Sequence, residues 1–329
     1  MYPKNAIIAV TLNCNSRCIM CNIWKNRITN ELSPEEFRRI PSSLEDLNIT
    51  GGEPFLRRDL VEIIANMKAA APRARLVMIS NGFMPHRAAE DLPKIRSIDP
   101  KFAFRVSIDG IGAAHDAIRR IPGGFEKICK TIQIARDSGI RDLGVSFTVI
   151  DQNVDEIPKV REFCRMQGVE FSITVATSSV IYFGTDKGLL RPKNPKKLYE
   201  NLGDLSRSHL SSMSAKEIVR GWFVKRLLGY VQTGVRALPC DAGKGFYYMD
   251  STGNVFTCHL KPWIMGNIRS DSLEKIFSRN TYSEKVAACN DCWMVCTAKS
   301  MMKKRFGSLL PQIVSDVAIA RFSALNKSA

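Results

Sequence analysis

"AIIAVTLNCNSRCIMCNIW", residues 6–24, joins an apolar run to a loop carrying Cys14, Cys18 and Cys21. The run at 6–12 reads as a buried β-strand. Three thiols are one short of a closed zinc site and one too many for a simple disulfide. Thiolates are soft ligands suited to zinc or to iron–sulfur clusters. A 4Fe–4S cubane held by three cysteines keeps one iron open to a small chelating ligand. No further Cys or His occurs between residues 22 and 85, and His86 and His115 lie far along the chain. Spacing alone therefore leaves zinc and iron–sulfur both open.

Outward from this stretch, short apolar runs alternate with amphipathic segments. Strands are expected at 46–50, 75–80, 102–108, 143–150 and 169–176. Helices are expected at 59–70, 86–96, 124–138 and 154–167, the last ending at Gly168. "SPEEFRRI" (33–40) reads as a further helix, with Ser33 as cap, Pro34 in the first turn and Glu36 completing a capping box. Six strand–helix repeats argue a parallel sheet with right-handed crossovers, either doubly wound or an incomplete barrel. The distinctive residues all follow strand C-termini, which favours a partial (β/α)6 TIM-like barrel. The expected organisation is α/β. Residues 1–185 form the barrel, 186–235 a helical linker region, 236–298 a small α+β domain, and 299–329 a basic amphipathic tail. In the small domain, "FYYMDSTGNVFT" reads as a hairpin and "SDSLEKIFSR" (270–279) as a capped helix.

The chain has 329 residues, 45% of them apolar, enough for a large core. No apolar run of membrane-spanning length occurs, and the N-terminus lacks a secretory h-region. A cytoplasmic, reducing location is expected, so clustered cysteines read as metal ligands. Of ten cysteines, Cys129 and Cys164 stand alone in helix-like segments and read as buried apolar residues. The net charge of +16 is uneven. Residues 1–185 hold 25 basic and 21 acidic residues, and residues 186–329 hold 23 and 11. A basic second half suits an anionic substrate, nucleic acid or an acidic membrane surface.

The cysteine loop resembles the CxxxCxxC signature of the radical SAM superfamily, and the resemblance covers roughly residues 5–180. "TGGEP" (50–54) is similar to that superfamily's second-strand GGE motif, "SNG" (80–82) to a third-strand motif, and "SIDG" (107–110) to a fourth-strand motif. By resemblance, Cys14, Cys18 and Cys21 bind a 4Fe–4S cluster, and S-adenosylmethionine chelates its open iron. Gly51, Gly52, Glu53 and Pro54 are implied near the amino group of that cofactor, Glu53 being a suitable acceptor for a cation. Ser107 and Asp109 are implied at its ribose and methionine part, with Asn81 beside them. "GIGAAHDAIRRIPGGFEK" (110–127) resembles a stretch of members with extra clusters, which makes Arg119 a candidate for the cofactor carboxylate. The residue before the third cysteine is usually aromatic in this superfamily; here it is Met20, whose thioether can pack on the adenine. The implied chemistry is reductive cleavage of S-adenosylmethionine to a 5′-deoxyadenosyl radical, which removes a hydrogen atom from substrate. Flavodoxin or ferredoxin is the implied electron donor.

The second set, Cys240, Cys258, Cys289, Cys292 and Cys296, resembles the twitch and SPASM extensions that hold auxiliary 4Fe–4S clusters. Gly253 supplies the turn between Cys240 and Cys258. The set suits one auxiliary cluster, with Cys240, Cys258, Cys289 and Cys292 as ligands. Cys296 is a fifth thiol: alternative ligand, hydrogen donor or bystander. A structural zinc site is the competing reading.

Three functions compete. The first is oxidation or epimerisation of a small polar, anionic or sugar-like substrate. The second is peptide modification; no leader-binding domain is expected, since the cysteine loop starts at residue 14. The third is a non-catalytic iron–sulfur or zinc protein on nucleic acid, which the GGEP and SIDG stretches disfavour. His115, Tyr182 and His259 are further residues that could face the site. The tail reads either as a helix packed on the barrel or as a peripheral attachment to an anionic membrane.

Overall fold

The computed structural model describes residues 2–185, 195–279 and 281–325. The boundary read at 186–197 lies, up to residue 194, outside the described residues, as do the last four residues of the tail.

The barrel half runs β1 (Asn5–Thr11), β2 (Asp46–Gly51), α1 (Leu60–Ala70), β3 (Arg75–Ser80), α2 (Pro85–Ile98), β4 (Ala103–Ser107), α3 (Ala113–Arg119), α4 (Gly124–Asp137), β5 (Asp142–Val149), α5 (Ile157–Gln167) and β6 (Glu170–Val175). Two helices follow, α6 (Pro195–Leu210) and α7 (Ala215–Thr233). The C-terminal part holds β7 (Phe246–Met249), β8 (Asn254–Phe256), β9 (Ile264–Asn267), α8 (Leu273–Ser278), α9 (Ser283–Ala287), α10 (Val295–Lys304) and α11 (Phe306–Leu325).

One nine-stranded sheet runs in the order β6-β5-β4-β3-β2-β1-β7-β8-β9. The first six strands are parallel and strictly sequential. A doubly wound sheet reverses its order at a switch point. Here the order never reverses, so every crossover packs on the same face and the sheet curls as the expected partial barrel.

Alternation along each strand separates two environments. Phe104, Val106, Val145, Phe147, Phe171 and Ile173 join the main apolar core with the helices. Their neighbours Arg105, Ser107, Ser146, Thr148, Ser172 and Thr174 line the inner side of the barrel. Helix α1 contributes Leu60, Ile63, Ile64 and Met67, all fully buried, each stabilising the fold by about 1.5–3 kcal/mol.

One expectation is corrected. Residues 33–40 form no α-helix; only a 3-10 turn, Glu35–Arg38, is present. The Glu36 carboxylate does accept the Ser33 N–H at 2.8 Å, but the Ser33 hydroxyl turns to Glu35 instead of the helix backbone. Half a capping box closes one turn, and Pro41 follows too soon for more. The small C-terminal part has no sheet of its own. Strand β7 pairs in parallel with β1, from Asn5 with Phe246 to Ile8 with Met249. The hairpin β7–β8 thus extends the barrel sheet. At its turn Asp250 accepts the N–H groups of Thr252 and Asn254, and Gly253 takes φ +87°.

The tail forms α10 and α11. Leu309, Ile313 and Ala320 are buried, and α11 packs against α6, α7 and α10. Asp316 faces inward and pairs with Lys225 and Arg226.

Candidate functional site

The C-terminal ends of β1 to β4 meet at one mouth. Glu31 fixes the start of the cysteine loop by accepting from the Thr11 hydroxyl (2.7 Å) and the Leu12 N–H (3.2 Å). The glycine loop is then stitched to it: Gly52 N–H donates to Thr11 O and Glu53 N–H to Asn13 O, both at 2.9 Å. A side chain on Gly51 or Gly52 would place its Cβ 2.0 Å from Thr11 O or Asn13 O. The tandem glycines are required by this close approach.

A cavity of about 640 Å³ opens below the loop. Cys14, Cys18, Cys21, Met20, Gly51, Gly52, Asn81, Ser107 and Arg119 all line it. Met20 packs with Ile118, Ile150 and Ala176. Asn81 ties the third-strand loop to the cysteine loop through Asn15 (2.7 Å).

Glu53, Pro54 and Asp109, which the resemblance places at the cofactor, are not among the residues that line the cavity. Glu53 is completely buried, and its carboxylate accepts from Phe55 N–H (3.1 Å), the Ser80 hydroxyl (2.9 Å) and Asn81 N–H (2.7 Å). Burial pushes its carboxyl up to about 7, against the pull of these donors. It braces two loops and leaves the backbone of Gly51 and Gly52 facing the cavity. Pro54 opens a buried 3-10 turn. Asp109, also fully buried, accepts from Arg119 Nε (2.6 Å) and Thr148 N–H (2.8 Å). Its role is to aim Arg119, whose Nη1 reaches Cys18 Sγ at 3.6 Å.

His115 does not face the site. It is fully buried, accepts the Asp109 N–H at its Nδ1, and is held neutral by burial, with its pKa down to about 3. Tyr182 and His259 do line the cavity. The Tyr182 hydroxyl donates to Gly51 O at 2.9 Å, accepts from Gly51 N–H at 3.3 Å and meets Thr50 Oγ1 at 2.8 Å. Its ring stands edge-on to Tyr248 and His259.

Tyr182 marks the place where the two cysteine sets meet. One apolar cluster holds Tyr182, Tyr248, Phe256, Cys258 and Cys292, with Cys14, Cys21, Cys240 and Cys296 packed against it. Within the second set, Cys258 lies within electrostatic reach of Cys240 and Cys292, Cys289 of Cys240, and Cys296 of Cys292 and Cys258. Among the described residues no three such side chains close to single-ion geometry. Five gathered thiols are a soft donor set that suits an iron–sulfur cluster or zinc. Burial keeps these groups as thiols until a metal takes the proton, with Cys14 and Cys258 pushed up to about 12 and Cys21 to about 11. Of the second set, Cys296 alone lines the cavity among the described residues, and burial pushes its thiol up to about 12.

The far end of the cavity carries charge that was not anticipated. Arg75, Arg105, Lys216, Arg220 and Lys299 line it with Asp142 and Glu170. Arg105 bridges the two acids at 2.6 and 2.8 Å, and Arg220 and Lys216 also pair with Glu170. With Arg119, six cationic side chains line the cavity, of which Arg119 pairs with Asp109, Lys299 with Asp46 and Arg220 also with Glu217.

Residues 8–164 match the family model of the radical SAM superfamily, and residues 240–298 match that of an iron–sulfur cluster-binding domain, SPASM. The first domain implies a 4Fe–4S cluster with S-adenosylmethionine, and the second implies auxiliary iron–sulfur ligation. The chain is 25% identical over 299 residues to an AdoMet-dependent heme synthase of Methanosarcina barkeri, covering 84% of this chain and 82% of that one. It is 30% identical over 181 residues to a probable GTP 3′,8-cyclase of Thermoplasma volcanium, covering 51% and 53%. Its fold is similar to that of native anSMEcpe with bound AdoMet and Cp18Cys peptide, with a TM-score of 0.64 at 15% identity over 96% of this chain and 99% of that one.

Proposed function

We propose that this chain, whose residues 8–164 match the radical SAM superfamily, removes a hydrogen atom from a small anionic or sugar-like substrate, in an oxidation or an epimerisation. The observation that carries this reading is the cavity lining: Arg75, Arg105, Arg119, Lys216, Arg220 and Lys299, with a ladder of Ser and Thr hydroxyls. Cationic side chains along a cavity suit anions, and the hydroxyls suit a polyol. The relatives named for heme and for GTP are named for small molecules, which supports the same side.

The 4Fe–4S cluster with S-adenosylmethionine supplies a 5′-deoxyadenosyl radical when it is reduced, with a flavodoxin or ferredoxin as the proposed donor. Cys14, Cys18 and Cys21 would hold that cluster. Gly51 and Gly52 would offer backbone to the amino acid part, Met20 its thioether to the adenine, and Asn81, Ser107 and Arg119 polar contacts. Cys240, Cys258, Cys289 and Cys292 would hold one auxiliary cluster. Cys296, facing the cavity as a thiol, would be the hydrogen donor of an epimerisation. In domain terms, 1–185 would be the catalytic barrel, 186–235 its helical cover, and 236–298 the auxiliary domain.

The test is anaerobic incubation of reconstituted protein with S-adenosylmethionine, dithionite and deuterated nucleotide-sugars or polyol phosphates. Substrate-dependent 5′-deoxyadenosine carrying deuterium is expected. Stimulation by peptides alone would move the assignment to the second reading, peptide modification, which the peptide-bound structural neighbour supports at the level of fold.

The tail supports a peripheral membrane site. Among the described residues no helix is long and apolar enough to cross a membrane. Helix α11 instead leaves Phe306, Leu310, Val314, Ile319 and Phe322 exposed, Phe322 by 66%. Its only acid, Asp316, faces inward, and Arg305 and Arg321 flank the apolar stripe. An apolar face rimmed by cations suits an anionic bilayer. The full-length protein is expected to co-sediment with phosphatidylserine vesicles at low salt, and Leu310→Asp with Phe322→Asp to release it. Absence of wild-type binding would end this reading.

A further inference from the structure

Arg236 lies between α7 and Cys240 and is 7% exposed. Its Nε donates to Leu238 O at 3.1 Å. Its Nη1 donates to Cys292 O and faces Cys292 Sγ at 3.3 Å. Its guanidinium sits over the Trp293 ring, 5.6 Å from the centroid. Nη2 is buried with no partner. Its bonds thus go to carbonyls and a thiol, and among the described residues no ion pair includes it. The other arginine beside a cysteine, Arg119, has Asp109 as its counter-ion.

A buried cation without an anion costs several kcal/mol. Carbonyl dipoles and an aromatic face offset part of that cost. The remainder calls for negative charge at Cys292, where the structure offers a neutral thiol. A thiolate bound to a cluster is such a charge, and an iron–sulfur centre becomes more negative by one on reduction. A fixed positive charge and an N–H···S contact both stabilise the more negative state.

We propose that Arg236 is the built-in counter-charge of the auxiliary iron–sulfur centre, raising its potential so that it accepts an electron from the substrate side. This rests on the assignment of Cys240, Cys258, Cys289 and Cys292 as one cluster's ligands. Arg236 is a positioning residue, acting through the cluster and touching no substrate.

The experiment is a potentiometric titration followed by electron paramagnetic resonance, on anaerobically reconstituted full-length protein. Cys14, Cys18 and Cys21 are replaced by Ala so that the auxiliary signal is read alone. In that background Arg236→Gln is expected to lower the ratio of reduced to oxidised cluster about tenfold at the parent's midpoint, a shift of roughly 60 mV for a one-electron couple. Arg236→Lys is expected to restore most of that ratio. Loss of the cluster from Arg236→Gln with retention in Arg236→Lys also supports the proposal, since charge is then what is required. An unchanged ratio in Arg236→Gln overturns it. So does loss of the cluster from both variants, which would make Arg236 a clamp on the Cys292 backbone. Absence of iron from the parent would instead refute the ligand assignment, and the proposal with it.

Discussion

Replacing Glu53 with alanine is expected to destabilise the protein by roughly 3 kcal/mol or more, because three buried donors lose their acceptor at about 1–3 kcal/mol each. Those donors sit on two different loops: Phe55 N–H on the glycine loop, and the Ser80 hydroxyl and Asn81 N–H on the next. Loss of the brace frees Gly51 and Gly52 from their position against Thr11 and Asn13, so binding of S-adenosylmethionine should fall with stability. Glu53→Gln is expected to be milder. Its carboxamide keeps one oxygen for one loop but presents N–H to donors of the other. Denaturant unfolding under anaerobic conditions, with equilibrium binding of S-adenosylmethionine, reads both effects. An alanine variant within about 1 kcal/mol of wild type would show that Glu53 is no brace, since a single lost hydrogen bond already accounts for that much.

Cys18→Ala is expected to abolish reductive cleavage of S-adenosylmethionine, with 5′-deoxyadenosine falling at least ~1,000-fold, because a cubane retaining two of its three thiolates is not held. Iron content should fall from about eight to about four per chain, the residue being the auxiliary cluster. Cys258→Ala should give the mirror image: a similar loss of iron with 5′-deoxyadenosine formation retained. If Cys18→Ala instead lost all its iron, the two sets would not be separate centres. If wild type held only zinc, the competing reading of the second set would stand.

The barrel was legible because its strands are short apolar runs at regular spacing, and amphipathic helices follow β2 to β5. The mouth was legible because Cys14, Cys18, Cys21 and the two glycines are local motifs. What escaped has two physical causes. The inner wall was readable in principle from the alternation in "VSFTV" and "EFSIT", where Ser and Thr recur at every second position. These segments were read only as strands, with no inner face assigned, so the polar cavity was missed. The pairing of β7 with β1 joins residues about 240 positions apart and has no local signal. The bracing contacts of Glu53 and Asp109 were not legible for a related reason. A carboxylate in a binding motif can face the ligand or support the loop that does, and only its hydrogen-bond partners decide which. Tyr182 and Arg236 belong to no motif, and their importance comes from what the fold brings beside them.

The parallel β1–β7 pairing also bears on how separable the two halves are. Without the C-terminal region, β1 would be an open edge, its seven residues all buried in the intact chain. An apolar strand with unpaired N–H and C=O groups recruits other chains. The metal-binding hairpin therefore acts as the barrel's edge guard, and the strand that delivers Cys14 is completed only once the chain has been made through residue 249. Two centres of separate chemistry thus share one folding unit.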